Sequence, residues 1–117
     1  SLWGTARREC KEEVGFDPEE YGTPLGALDR IHHPRICVDA VVFLLKRRPR
    51  TIFNEEVSEV FWIRLADLQN KDFHAIYNYQ LGGKTIEMPS IVLPQLPVPI
   101  WGFSLRFIND LFSRGVQ

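Results

Sequence analysis

The sequence predicts an α/β chain, with strands held between an early and a late helix in an α/β/α sandwich. Three observations carry this. Residues 6–14 are mostly good helix formers and end at Gly15, residues 36–45 form a run rich in branched apolar side chains, and residues 100–113 carry a one-sided apolar stripe. The 117 residues make at most one domain with a modest core. A hydrophobic content of 44% with 25% charged residues is ordinary for a soluble globular chain.

Taken in order, the first helix spans roughly Trp3 to Val14, and Gly15 stands where a left-handed C-terminal cap is wanted. Asp17-Pro18-Glu19-Glu20 reads as one helical turn, capped by Asp17 with Pro18 in first position. Pro24 to Asp29 is a short strand. "ICVDAVVFLL", residues 36–45, reads as a buried central strand, in which Asp39 needs a partner. "RRPR" at 47–50 is a loop with solvated charges. Glu59 to Ile63 is the next strand, followed by a short helix at Leu65 to Leu68. Phe73–Tyr79 and Lys84–Met88 flank "QLGG", a hairpin signal in which Gly82 and Gly83 supply positive φ. Four prolines between 88 and 99 predict an extended, semi-rigid loop. The terminal helix places Trp101, Leu105, Ile108 and Phe112 on one stripe and ends at Gly115.

Composition excludes several functions. A net charge of −1 lacks the basic footprint of a nucleic-acid binder. No apolar run approaches the roughly 20 residues that cross a bilayer. Cys10 and Cys37 offer neither a disulfide framework nor a CxxC metal pair, so reduced thiols in an intracellular protein are expected, with cytoplasm, mitochondrion and peroxisome all open.

One stretch stands out. "RRECKEEVGFD", residues 7–17, sets Glu9, Glu12 and Glu13 on one helical face near the helix's C-terminal end. Like charges at this spacing cost about 0.2–0.5 kcal/mol per pair, and the helix dipole adds to the penalty. Arg8 can reach Glu12 and relieve part of it. Such a face is either simply solvated or a set of hard oxygen ligands for Mg²⁺ or Mn²⁺.

Residues 8–16 match, place for place, the pattern REUxEExGU, where U is a bulky apolar residue and Cys10 is the loosest fit. This is the second half of the Nudix box, and the sequence resembles a Nudix hydrolase. The resemblance implies a Nudix-like α/β/α sandwich with a mixed sheet. It also implies that the first half of the box, and the strands before it, would precede Ser1 and are lacking in this chain. "EVSEVFWIRLADL" resembles the Nudix strand-then-helix segment, and "IWGFSLRF" resembles the terminal helix of the coenzyme A diphosphatase branch.

By this resemblance Glu12 and Glu13 would bind Mg²⁺ or Mn²⁺. Glu9 would be a further ligand or the general base, and Arg8 would orient a carboxylate. A later acidic ligand is expected at Glu56 or Glu59, with Glu59 favoured beside its strand. His32, His33 and His74 are expected on the surface without metal, and Phe53, Tyr77 and Tyr79 in core packing rather than stacked on a base. Two functions remain open: metal-dependent hydrolysis of a nucleoside diphosphate linked to another moiety, with a coenzyme A derivative as the example, or a non-catalytic Nudix-fold scaffold. The partner expected is a nucleotide-type small molecule, with no membrane. Residues 1–117 alone are expected to be inactive and to self-associate through uncovered strands.

Overall fold

A computed structural model describes residues 1–52, 57 and 59–116. The chain divides into two compact units, Ser1–Val60 and Phe61–Gln117. Its elements combine helices with antiparallel strands, an α/β arrangement.

In the first unit, helix α1 spans Leu2–Val14 and helix α2 spans Pro18–Tyr21. Ser1 caps α1 through its hydroxyl, which accepts from the Gly4 N–H. Asp17 caps α2, accepting from the Glu19 N–H at 3.0 Å, with Pro18 in the first turn as the sequence anticipates. Strands β1 (Gly22–Ala27), β2 (Ile31–His32), β3 (Cys37–Val38) and β4 (Val41–Leu45) follow. β1 pairs with β4 and β2 with β3, both antiparallel. The Leu28 N–H donates to the Ala40 carbonyl at 2.9 Å between the two ladders, so they are successive parts of one long hairpin. A register shift between Pro24 and Gly26 bends its base, and the turn at residues 33–36 closes its tip.

This corrects the expectation of one buried central strand over residues 36–45. The run is broken at Asp39 and Ala40, and among the described residues β4 pairs with β1 alone. Ile36 and Leu44 are exposed. Asp39 forces the break because a carboxylate cannot enter an apolar ladder unpaired. It accepts two hydrogen bonds from Arg30 at 2.8 and 3.0 Å instead.

In the second unit, helix α3 (Leu65–Gln69) leads through a single 3₁₀ turn at Lys71–Phe73 into strand β5 (His74–Leu81), strand β6 (Lys84–Ile91) and helix α4 (Gly102–Ser113). β5 and β6 form the anticipated hairpin, with Gly82 and Gly83 at φ 56° and 80° in a turn that demands left-handed backbone at both positions. The proline-rich segment departs from expectation at its start. Pro89, Ser90 and Ile91 continue β6, and Pro89 is tolerated there because the edge of β6 away from β5 is paired, among the described residues, only at Ile91, by a bridge to Ile100. No strand is found at residues 59–63.

Leu68, Ile91, Leu93 and Leu105 form the core of this unit, with Ile108 and Phe112 packed against it. Fully burying such a side chain contributes about 1.5–3 kcal/mol. Trp101 belongs to the same sequence stripe but lies just before α4. It packs on Tyr77, with ring centroids 4.7 Å apart and planes at 30°, and on Tyr79 at 5.0 Å. Every described strand pair in both units is antiparallel, so the mixed pairing implied by the resemblance is not seen among the described residues.

Candidate functional site

Helix α1 is amphipathic in an unusual way. Trp3, Ala6, Arg7, Cys10 and Val14 are half-buried along one side, while Arg8, Glu9, Glu12 and Glu13 are exposed on the other. Trp3 anchors the inner side by an edge contact with Phe43 of β4, with centroids 5.3 Å apart. Arg7 anchors it by ion pairs to Asp17 and to Glu19, each at 2.7 Å. The carboxylate face is thereby held outward by packing on its opposite side.

Gly15 terminates α1 at φ 84°, and its N–H donates to the Lys11 carbonyl at 3.1 Å. The next strand of chain lies close against it. The Ile52 N–H donates to the Val14 carbonyl at 2.8 Å, and a Cβ on Gly15 would fall 2.7 Å from the Ile52 Cβ. Glycine is required twice here, by conformation and by contact. Both requirements act on the residue that ends the acidic helix.

On the outer face a single guanidinium serves two carboxylates. Arg8 Nη2 lies 3.2 Å from Glu9 Oε1, and its Nη1 lies 3.3 Å from Glu12 Oε1. One cationic group is therefore already shared by two of the three glutamates, which shows that their oxygens can reach a common positive charge. Glu13, one turn on from Glu9, is exposed on the same face. The side chains do not converge further: among the described residues no three His, Cys, Asp or Glu groups are gathered as a ready metal cage. The donor set nonetheless suits a hard divalent cation, which takes carboxylates and keeps several waters.

Electrostatics sharpen the contrast between the two faces. The Arg7 guanidinium, hydrogen-bonded to both Asp17 oxygens, holds the Asp17 carboxyl below the usual carboxylate range. Burial pushes the Cys10 thiol up, with the nearby Asp17 and Glu13 charges adding to it. Arg7 and Asp17 are the residues that sequence reasoning missed as a pair. Asp17 is legible as a helix cap, but nothing in the spacing says that its second role is to clamp α1.

Other candidates fall elsewhere. Glu59 is exposed and lies outside any regular element, so the strand invoked to position it is absent; Glu56 and Phe53 lie outside the described residues. His32 and Cys37 face each other across β2 and β3. The Nδ1 of His33 accepts from the Arg35 N–H, and His74 Nε2 lies 3.1 Å from the Leu68 carbonyl. Tyr77 and Tyr79 pack on Trp101, but Tyr79 is exposed and neither tyrosine joins the buried core expected for them.

A family model described as NUDIX domain matches residues 1–81. No curated protein matches the chain, and no solved structure does.

Proposed function

Because the chain belongs to the NUDIX domain family, we propose that it is a hydrolase of nucleoside diphosphate derivatives whose working surface is the outer face of α1. The observation that carries this reading is the exposed row Arg8, Glu9, Glu12 and Glu13, with one guanidinium shared by Glu9 and Glu12.

Glu12 and Glu13 would hold Mg²⁺ or Mn²⁺, with Glu9 as a further ligand or as the base that takes a proton from the attacking water. A divalent cation bound there would neutralise diphosphate charge and acidify a water. The chain's own residues supply the rest. α1 fixes the carboxylates on a rigid scaffold, which is worth more than a loop for positioning. Arg8 holds Glu9 and Glu12 in one orientation by charge-assisted hydrogen bonds. Gly15 lets the chain turn under the face without a side chain in the way. Glu59 remains a proposed outer ligand, delivered from an irregular segment. The likeness of "IWGFSLRF" to coenzyme A diphosphatases motivates a coenzyme A derivative as the substrate. Trp101 packing on Tyr77 and Tyr79 gives that segment a structural role as well.

The test joins binding with turnover. Calorimetric titration with Mn²⁺ is performed on the protein and on Glu12→Gln/Glu13→Gln. Phosphate release from ADP-ribose and from coenzyme A is then measured after coupling to a phosphatase. In the full-length protein, weaker Mn²⁺ binding and lost turnover in the double variant are expected. Equal binding and equal turnover would place the site elsewhere. Mn²⁺ binding without turnover on any diphosphate offered would favour the scaffold reading.

A further inference from the structure

The tip of the long hairpin in the first unit carries a second chemical cluster. His32 and Cys37 are direct cross-strand partners, and the Cys37 Sγ lies 3.7 Å from the His32 Nδ1. Arg30 and Asp39 stand two positions further from the turn on the same two chains, joined by two hydrogen bonds. Side chains alternate across a strand, so Ile31 falls on the other side of the ribbon, where it is buried. The ribbon thus sets Arg30, Asp39, His32 and Cys37 toward one face. His33 and Arg35 occupy the turn beyond them.

We propose that Cys37 is a reactive thiol, served by His32 as its base, that undergoes thiol–disulfide exchange with small disulfides. A nucleophile within reach of a base, with further charges fixed around the base, is the arrangement that activates cysteine. His32 Nδ1 takes the thiol proton, leaving a thiolate beside an imidazolium. The thiolate attacks one sulfur of the disulfide. The reagent's S–S bond breaks as a bond from Sγ to that sulfur forms. The other half leaves as a thiolate and is protonated by the imidazolium. Cys37 is oxidised to a mixed disulfide, and the leaving half is reduced to a thiol.

Two further features fit. The Arg30–Asp39 ion pair sits beside His32 and Cys37 on the same face of the ribbon and fixes both charges there. Cys10 provides an internal contrast: it is half-buried on α1, and burial raises its pKa. Cys37 is exposed. Metal binding is the weaker use of this cluster, because Asp39 is already engaged by Arg30 and no third ligand joins His32 and Cys37 among the described residues.

The experiment uses the neutral reagent dithiodipyridine, with thiopyridone release read by absorbance. Peptide mass spectrometry and the variants Cys10→Ser and Cys37→Ser assign each rate to its thiol. At neutral pH Cys37 is expected to react about tenfold or more faster than Cys10. His32→Gln is expected to slow Cys37 about tenfold at neutral pH. The two proteins should converge above the ordinary thiol pKa of about 8.5, where any exposed cysteine is ionised. A merely steric effect of the substitution would leave their ratio constant with pH and would overturn the assignment of His32 as base. Cys37 reacting no faster than Cys10 in the unaltered protein would overturn the whole proposal, and that comparison needs no variant to fold.

Discussion

Arg7 grips Asp17 with both arms: Nε donates to Oδ1 at 3.0 Å and Nη2 to Oδ2 at 2.7 Å, across ten residues and the turn between two helices. The same Asp17 Oδ1 accepts the Glu19 N–H. One carboxylate therefore caps α2 and ties it to the inner side of α1, directly behind the acidic face.

This pair has a defined pH signature. Arg7 holds the folded-state pKa of Asp17 below its unfolded value of about 3.9, so the stabilisation is present above that value. It is lost as pH falls through the lower folded pKa. Urea midpoints of the protein and of Asp17→Asn should differ at neutral pH and converge in acid. A difference that persists unchanged in strong acid would show that the carboxylate charge is not what matters. Asp17→Ala should cost about 1 kcal/mol more than Asp17→Asn, because the cap to Glu19 is lost as well.

Gly15→Ala should destabilise the first unit by about 2 kcal/mol or more, from a strained left-handed residue and an overpacked contact with Ile52. Denaturant unfolding reads the loss. Asn at this position, which tolerates the backbone better, would still meet Ile52 and should recover only part of it. Full recovery would mean that the contact is unimportant.

In the full-length protein, Glu9→Gln should lower turnover of a diphosphate substrate by about 10²-fold or more, the usual contribution of a positioned base or ligand. Arg8→Lys keeps the charge and loses the planar fork shared between Glu9 and Glu12, so it should give a smaller reduction. Steady-state kinetics at saturating Mn²⁺ separate the two. Unchanged turnover in Glu9→Gln would remove this residue from the mechanism.

Leu105→Ala should destabilise by about 2–5 kcal/mol, since Leu105 is buried against Leu68, Ile91 and Leu93. Thermal unfolding of the protein measures it. A shift no larger than that of an exposed substitution such as Val98→Ala would contradict the placement of this core.

Local features of this protein were legible in its sequence because each depends on a few neighbouring residues. Helical spacing alone sets Glu9, Glu12 and Glu13 on one exposed face. Gly15 marks the helix end because its left-handed backbone disfavours other residues, and Asp17-Pro18 marks the next helix start through capping. Gly82-Gly83 closes the hairpin because its turn needs two positive φ values. Tertiary structure decided what depends on distant partners. Residues 36–45 carry the composition of a central strand, yet Asp39 finds Arg30 nine residues earlier and breaks the run into two strands of one bent hairpin. Composition cannot reveal that, because the cost of an unpaired carboxylate depends on whether a guanidinium is near in space. Pro89 reads as a breaker, but it extends β6 because the edge of that strand away from β5 is paired, among the described residues, only at Ile91. Trp101 shares the spacing of the α4 stripe, but the helix starts after it and its ring turns to Tyr77 and Tyr79. The opposition of His32 to Cys37 likewise follows from hairpin register, which is set by the turn between them and by burial of Ile31 on the opposite face.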